Sequence, residues 1–346
     1  MKTHKNLYAK LVDRPAIRRT IVSTAKGKAK RNDVAQVLGN LDRYVDTIYA
    51  DMSSMAIPNE RPRTRRILEY GKERLITINP FYPNQIYDAM LGEVLEKVVM
   101  RSIYRWSVGN LKGRGIADGK RYVEKNIGRY KYCLKMDIRK FYDSIDKARL
   151  LAMLKKRIAD DNFMRFYESI IGCEGRGLEL GRVSSQYLAN YYLLEFDHFV
   201  KQTLRAPCYV RYVDDFVILA NNKMKIHNYL RKIAGYLNSI GLELNGKWQI
   251  LNLEKGDEIS FLGYRFTKSK TLIRKPTFHR FGRLAKRIER TGVATVRQGK
   301  RLASLYGWIK STKAGFGYIR HHVVESICLK RLFSLCGKGR TYLCRN

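Results

Sequence analysis

Acidic residues are the scarce class in this sequence: 31 Asp and Glu stand against 68 Lys and Arg, a formal net charge of +37. That excess is far beyond what solubility requires, and a field of this size attracts polyanions. Nucleic acid is the first partner class it suggests and an anionic membrane surface the second; a merely solvated basic surface is the plainer alternative. Long apolar runs are also lacking. No stretch of 18 apolar residues supports a transmembrane helix, and the N-terminus "MKTHKNLYAKLVDRPAIRRT" has no uninterrupted hydrophobic core of a secretory signal. The six cysteines include no C-x-x-C pair and the six histidines show no ligand spacing. Free or buried thiols of a reducing cytoplasm are therefore expected. His321 and His322 precede Cys328, Cys336 and Cys344, but spacings of eight residues do not match the short loops of zinc knuckles. Only seven prolines occur, clustered near residues 58–83, where they suggest a loop-rich region containing strands. Internal repeats and low-complexity linkers are absent.

What is present argues for a large folded core. Hydrophobic residues make up 45% of the chain and 23 residues are Tyr, which does not describe a basic tail. Two or three packed subdomains are expected at this length. The charge is concentrated at the ends: residues 270–346 hold 19 Lys and Arg against Glu289 and Glu325, and residues 1–40 hold ten against Asp13 and Asp33. The centre is more balanced and carries the acids.

Periodicity places the elements. "YKYCLKMDI" (130–138) alternates, with Leu134, Met136 and Ile138 on one face and Cys133, Lys135 and Asp137 on the other, so a strand is expected with Asp137 near its end. Residues 144–158 predict a helix with Leu150, Leu151, Leu154 and Ile158 as its apolar stripe; Asp143 and Asp146 suit its N-terminus. Residues 184–204 predict a longer helix capped by serine, and residues 225–244 one that ends near Gly241. "YVRYV" and "FVILA" read as two strands of a tight hairpin, "ISFLGYRFT" and "TLIRK" as another, and Trp248 is expected to pack under the sheet. The order strand–helix–strand–strand–helix–strand is that of a split β-α-β sheet of ferredoxin-like type.

Within the first hairpin, "RYVDDFVIL" (211–219) places Asp214 and Asp215 side by side, although Asp is a poor strand former and adjacent carboxylates repel. In the split sheet Asp137 approaches them. Three convergent carboxylates are costly as bare charges and favourable around divalent cations. Two Mg²⁺ ions roughly 3.5–4 Å apart can clamp the attacking and leaving oxygens of phosphoryl transfer.

"YVDD" in a β-hairpin resembles the active-site motif of reverse transcriptases, and the family's other blocks follow in order over roughly residues 60–270. The resemblance implies an α+β, right-hand polymerase: a basic helical segment over 1–60, fingers over 61–130, a ferredoxin-like palm over 131–270 with fingers elements interleaved near 150–180, and a basic helical thumb over 271–346. "YGKERLITI" (70–78) resembles the fingers strand that holds the incoming triphosphate, with Lys72 and Arg74. "GRGIADGKRYVEKNI" (113–127) resembles the next fingers block. "LKMDIRKFYDSID" (134–146) resembles the first palm block: Asp137 matches the metal ligand, joining Asp214 and Asp215, and Phe141 the aromatic gate against a ribose 2′-hydroxyl, with a core position expected for Tyr142. "LGRVSSQ" (180–186) resembles the nucleotide- and template-positioning block, with Leu180, Gly181 and Gln186. Lys247 matches a lysine near the triphosphate. "SFLGYRF" (260–266) resembles the primer grip, through Phe261, Leu262 and Gly263. In the thumb, Arg283, Lys286, Arg287 and Arg290 fall at helical spacings and could line one face toward the nucleic-acid backbone.

"LGRVSSQ" narrows the resemblance. Most bacterial relatives read Q-G-x-x-x-S-P there; an apolar residue followed by G-x-x-x-S-Q resembles the reverse transcriptases of diversity-generating retroelements, which copy a template-repeat RNA with errors at adenines. The N-terminal "NLYAKLVDRPAIRRTIVSTAKGKAKR" is also similar to that group. The resemblance implies dNTPs, template RNA and an RNA–cDNA duplex as partners, two Mg²⁺ ions as cofactor, a cytoplasmic bacterial or phage-encoded setting with no membrane, and a small basic accessory protein that forms a homo-oligomeric barrel. Another prokaryotic reverse transcriptase (group II intron-like, retron or phage-defence) stays open, disfavoured by Gln186, by the compact length and by the lack of maturase or nuclease blocks. A catalytically inactive, RNA-binding polymerase fold also stays open, disfavoured by the three intact aspartates.

Overall fold

Alternation along residues 132–137 sends neighbouring side chains to opposite faces of a strand, and in the computed structural model both faces of the resulting sheet are covered. The structure describes residues 4–69, 72–312, 329–337 and 341–343. Three helices come first, α1 (Arg14–Ala25), α2 (Asn32–Gly39) and α3 (Leu41–Ser53), then a hairpin of β1 (Arg63–Glu69) and β2 (Lys72–Ile78). Helices α4 (Ile86–Met100) and α5 (Ile116–Ile127) lead into β3 (Tyr132–Asp137). Between β3 and β4 (Cys208–Tyr212) lie α6 (Phe141–Ser144), α7 (Lys147–Lys155), α8 (Asp161–Ile171), α9 (Val183–Tyr192) and α10 (Leu194–His198). β5 (Asp215–Ala220), α11 (Lys223–Ser239) and β6 (Gln249–Asn252) complete the sheet. A three-stranded sheet of β7 (Ile259–Phe261), β8 (Tyr264–Phe266) and β9 (Thr271–Ile273) follows, then α12 (Lys275–Thr291), α13 (Val296–Lys310) and the helix Leu329–Gly337.

The central sheet has the order β4-β5-β3-β6, each neighbouring pair antiparallel. This is the split β-α-β arrangement expected from the sequence, within a mixed helix-and-sheet architecture. Leu134, Met136, Phe216 and Ile218 enter one core, with α4, α8, α9 and α11. Cys133, Cys208, Val210, Val217 and Leu219 enter a second, with Phe261, Phe266, Phe281 and Leu302. A strand buried on both faces reads as a continuous apolar run, which accounts for "FVILA".

Several local expectations are corrected. The helix expected over 144–158 is split: α6 ends at Ser144 and α7 starts after Asp146, whose carboxylate caps it by accepting from the Arg149 N–H at 2.9 Å. The helix expected over 184–204 starts at Val183 without a side-chain cap and breaks after Tyr192. Ser184 lies inside it, and its hydroxyl donates to buried Asp88 on α4, so the serine ties two helices together instead of capping one. Trp248 is 42% exposed, because it sits in the turn before β6 and not within the strand. Cys336 is buried, its thiol toward the Thr295 carbonyl; His321, His322, Cys328 and Cys344 lie outside the described residues. Among the described residues no helix is long and apolar enough to cross a membrane.

Candidate active site

Register brings the carboxylates together. Strands β3 and β5 pair with Asp137 opposite Asp215. A two-residue turn, Val213–Asp214, joins β4 to β5, and the Ile138 N–H donates to the Asp214 carbonyl at 3.2 Å. Asp137 accepts a hydrogen bond from the Asn245 side-chain amide at 3.0 Å, and its carbonyl accepts from the Asn245 N–H at 2.7 Å. Asp215 lies in a perturbing environment. Its Oδ1 is buried and has no hydrogen-bond partner. Burial pushes its carboxyl up to about 7; the Lys135 charge opposes this, the negative charges of Asp137 and Asp214 add to it, and Arg274 opposes it.

The expected convergence is met in backbone register but not as a closed cage: among the described residues no group of three Asp, Glu, His or Cys side chains surrounds a common point. One oxygen of Asp137 is already engaged by Asn245. Mg²⁺ does not require a closed cage, since it takes one or two carboxylates and completes its shell with water and substrate phosphates. A buried carboxylate oxygen with no donor, in the field of two further carboxylates, fits a divalent cation.

The raised Asp215 carboxyl has a pH consequence with a definite sign. The folded chain holds this proton more tightly than the unfolded chain, whose carboxyl titrates near 3.8. Without metal, stability is therefore greatest below about pH 4 for this group and falls as pH rises toward 7, by at most about 4 kcal/mol. A cation competes with the same proton, so the apparent affinity for Mg²⁺ should be roughly tenfold weaker at pH 6 than at pH 8. Titrations of Mg²⁺ at the two pH values check this; equal affinities would contradict the assignment of Asp215.

Around the carboxylates, the adjacent aromatics divide differently from expectation. Phe141 is 2% exposed and belongs to the core. Tyr142 is only partly buried; burial pushes its phenol up to about 12, a hydrogen bond with Asn110 opposes that, and the Asp214 charge adds to it. Tyr142, not Phe141, is therefore the partly exposed ring whose phenol feels the Asp214 charge.

The remaining predicted residues are distributed over six places in the fold. Lys72 and Arg74 lie on β2, in register with Glu69 and Ile67. The Leu180–Gly181 turn sits against the same strand: Gly181 has φ +104°, and a Cβ there would lie 3.4 Å from the Thr77 carbonyl oxygen. Its position is fixed from the other side, where the Val183 N–H donates to Asp88 at 2.8 Å. Leu180 is half-buried. Gln186, on α9, lines a groove of about 640 Å³ with Asn110, Lys112, Arg114, Tyr187 and Tyr212. Lys247 is exposed, and its N–H donates to the Asn245 side chain at 3.3 Å, so Asn245 links this loop to Asp137.

In the predicted primer grip, Phe261 is buried and Leu262 and Gly263 form a left-handed turn with φ +53° and +84°. That turn is wedged between two helices. A Cβ on Gly263 would lie 2.7 Å from the Trp308 ring of α13, and one on Gly119 of α5 would lie 2.5 Å from Leu262. The Arg274 N–H donates to the Gly263 carbonyl at 3.1 Å, so the residue whose charge acts on Asp215 is tied to this turn. On α12, Arg283, Lys286, Arg287 and Arg290 are all exposed on the side opposite buried Phe281, Ala285 and Ile288.

Asn245, Arg274 and the buried Arg211 are site residues that sequence reading missed. Only Asn245 had a local signal, as the first residue of an Asn-Gly turn.

The geometry agrees with comparisons to known proteins. A family profile described as Reverse transcriptase (RNA-dependent DNA polymerase) matches residues 62–266. The chain is similar to an uncharacterized 91 kDa protein in the cob intron of Schizosaccharomyces pombe, 23% identical, over 64% of this chain and 38% of that protein. It is also similar to Nuclear intron maturase 4, mitochondrial, of Arabidopsis thaliana, 24% identical, over 44% of this chain and 20% of that protein. The chain thus spans less than half the length of either relative. Among solved structures, telomerase from Candida albicans, in complex with a fragment of telomeric RNA, superposes with a TM-score of 0.51 at 16% identity, over 77% of this chain and 56% of that one. Apo telomerase from Candida tropicalis gives 0.50 at 14% identity, over 66% and 52%. At such identities the likeness is one of fold, and it is a polymerase fold. Since the matched profile extends over more than half of the sequence and spans both aspartate-bearing strands, the chain belongs to the reverse transcriptase family.

Proposed function

We propose that the chain is an RNA-directed DNA polymerase that copies a template-repeat RNA into adenine-mutagenised cDNA for a diversity-generating retroelement. The observation that carries the polymerase reading is the opposition of Asp137 and Asp215 across β3 and β5, with Asp214 in the adjoining turn and a buried oxygen of Asp215 left without a partner. Asp137, Asp214 and Asp215 would hold two Mg²⁺ ions, which when bound supply electrostatic stabilisation of phosphoryl transfer. The protein's own groups do the positioning. Lys72, Arg74 and Lys247 neutralise the triphosphate, the Phe261–Gly263 turn holds the primer end, and α12 follows the duplex backbone.

Tyr142 is the side chain that excludes a ribose 2′-hydroxyl in this reading, because Phe141 is enclosed in the core. Tyr142→Ala should raise rNTP incorporation relative to dNTP by about tenfold or more. Phe141→Ala should instead destabilise the fold by about 3–5 kcal/mol, as expected for emptying a buried aromatic site. Competition assays and thermal melts on both variants check this; a changed sugar ratio for Phe141→Ala alone would return the gate to that residue.

The retroelement assignment rests on Leu180 and Gln186. A site that hydrogen-bonds its substrate rejects a wrong partner by orders of magnitude, whereas an apolar contact gives roughly 10–200-fold. Leu180 cannot supply the hydrogen bonds of a glutamine, so geometric control over the nascent pair is looser. An A·T pair, with fewer hydrogen bonds than G·C, is less able to enforce its own geometry. Leu180→Gln should lower errors opposite template adenine about tenfold relative to other bases while polymerisation is retained. Sequencing of cDNA from a purified reaction tests it. An intron-borne reverse transcriptase is the second reading, favoured by the two relatives named for introns; wild-type cDNA without any adenine bias would make it the better account. In the retroelement reading the chain works in the cytoplasm of a bacterium, with a small basic accessory protein that forms a barrel-like homo-oligomer and helps bind the RNA.

A further inference from the structure

The turn that presents Asp214 has a conformation its own sequence resists. Val213 has φ +57°, in the left-handed region that β-branched residues avoid. Such a residue persists only where its surroundings over-determine it, and here two contacts, from Arg211 and Gly109, do so, with Asn190 tying them together. Arg211, with no exposed surface, donates from Nη1 to the Val213 carbonyl at 2.8 Å. Its Nε and Nη2 form a fork with Asp197 of α10 at 2.8 and 2.6 Å, and the Tyr209 hydroxyl donates to the same carboxylate at 2.7 Å. Asn190 of α9 accepts from Arg211 at 3.2 Å, and its amide donates to the carbonyls of Gly109 and Gln186 at 2.9 and 3.0 Å. Gly109 is pressed onto the turn itself: a Cβ there would lie 2.5 Å from the Val213 nitrogen and 2.6 Å from its Cγ2. The 106–108 segment is hydrogen-bonded along β4, Arg211 N to the Trp106 carbonyl at 3.0 Å and Val108 N to the Arg211 carbonyl at 2.8 Å, so it cannot simply swing away.

A fully buried ion pair seldom stabilises a fold more than an apolar pair of the same shape would. Its fork and satisfied partners fix geometry instead. We propose that Arg211, Asn190 and Gly109 are positioning residues that clamp the Val213–Asp214 turn, set the spacing of Asp214 from Asp137 and Asp215, and join that spacing to the helix that carries Gln186. None of the three touches substrate in this account. The inference rests on the reading of the three aspartates as cation ligands.

The test uses the full chain and Mn²⁺, followed by its electron paramagnetic resonance signal, beside steady-state kinetics and thermal melting. Gly109→Ala should melt several degrees or more below wild type, because its Cβ must displace the Val213 backbone, and where it folds it should bind Mn²⁺ at least about tenfold more weakly and lose kcat by about 10–100-fold while the dNTP KM stays within about threefold, as a displaced site should behave. Arg211→Lys keeps the charge without the fork and should change metal affinity in the same direction. If Gly109→Ala does not fold, Asn190→Ala serves the same purpose, because it removes the link from Arg211 to Gly109 without adding an atom. A folded Gly109→Ala or Asn190→Ala with wild-type Mn²⁺ affinity and kcat overturns the clamp. Wild-type protein that fails to bind Mn²⁺ overturns the metal reading, and the clamp with it.

Discussion

Asp214→Asn and Asp137→Asn should each reduce Mg²⁺-dependent dNTP incorporation by at least about 10²–10³-fold. RNA affinity should stay within about twofold, because the basic surface that holds phosphates is untouched. The reasoning is one of location. Asp137 ends β3 opposite Asp215, whose buried oxygen has no donor, and Asp214 occupies the adjoining β4–β5 turn. An amide keeps the shape of the side chain and loses the charge. Loss of one carboxylate removes electrostatic stabilisation where charge develops, while the grip on the backbone persists. Primer extension and filter binding on the same preparations separate the two effects. Near-normal extension by either variant would show that these aspartates do not form the catalytic centre.

Simultaneous replacement of Arg283, Lys286, Arg287 and Arg290 by alanine should flatten the salt dependence of nucleic-acid binding. Each phosphate neutralised contributes roughly 0.7–0.9 to the slope of log affinity against log salt, so four contacts amount to about 3. Between 50 and 200 mM salt, wild type should then lose about 50-fold more affinity than the variant. The four side chains suit this role because they recur at i, i+3, i+4 and i+7 on the exposed side of α12, while Phe281, Ala285 and Ile288 anchor the other side. Their removal leaves that apolar anchor in place, so the fold should survive. An unaltered slope in the variant would move the backbone contacts to another surface, such as the basic N-terminal helices.

The features legible from the sequence were those encoded locally. The alternation of residues 132–137 and the placement of two aspartates between apolar strands were enough to find β3, the hairpin and the opposed carboxylates. The uninterrupted apolar run of β5 was read as a strand, and its burial on both faces came only with the structure. Features set by distant partners were not legible. Ser184 looks like a helix cap until Asp88, 96 residues earlier, is seen to hold its hydroxyl. Phe141 and Tyr142 are adjacent aromatics, and only the packing of α6 decides which one is enclosed. Arg211 reads as an ordinary strand charge beside the aspartates, yet it has no exposed surface and its carboxylate partner lies on α10. Gly109 reads as one loop glycine among 26, and its importance comes from the backbone of Val213 pressed against it. Trp248 shows the converse: a large aromatic suggests burial, but a turn position leaves it in solvent.

The central claim is that the carboxylates on β3 and the β4–β5 turn catalyse RNA-templated DNA synthesis. The most direct measurement is extension of a DNA primer on a defined RNA template by the purified chain, with Mg²⁺ and dNTPs, read by sequencing of the product. The account predicts cDNA complementary to the template, dependent on Mg²⁺ and abolished by Asp214→Asn. Tight, salt-sensitive RNA binding by a folded wild-type protein that adds no nucleotide with Mg²⁺ or Mn²⁺, with or without a small basic accessory partner, would contradict it and leave an RNA-binding polymerase fold without polymerase chemistry.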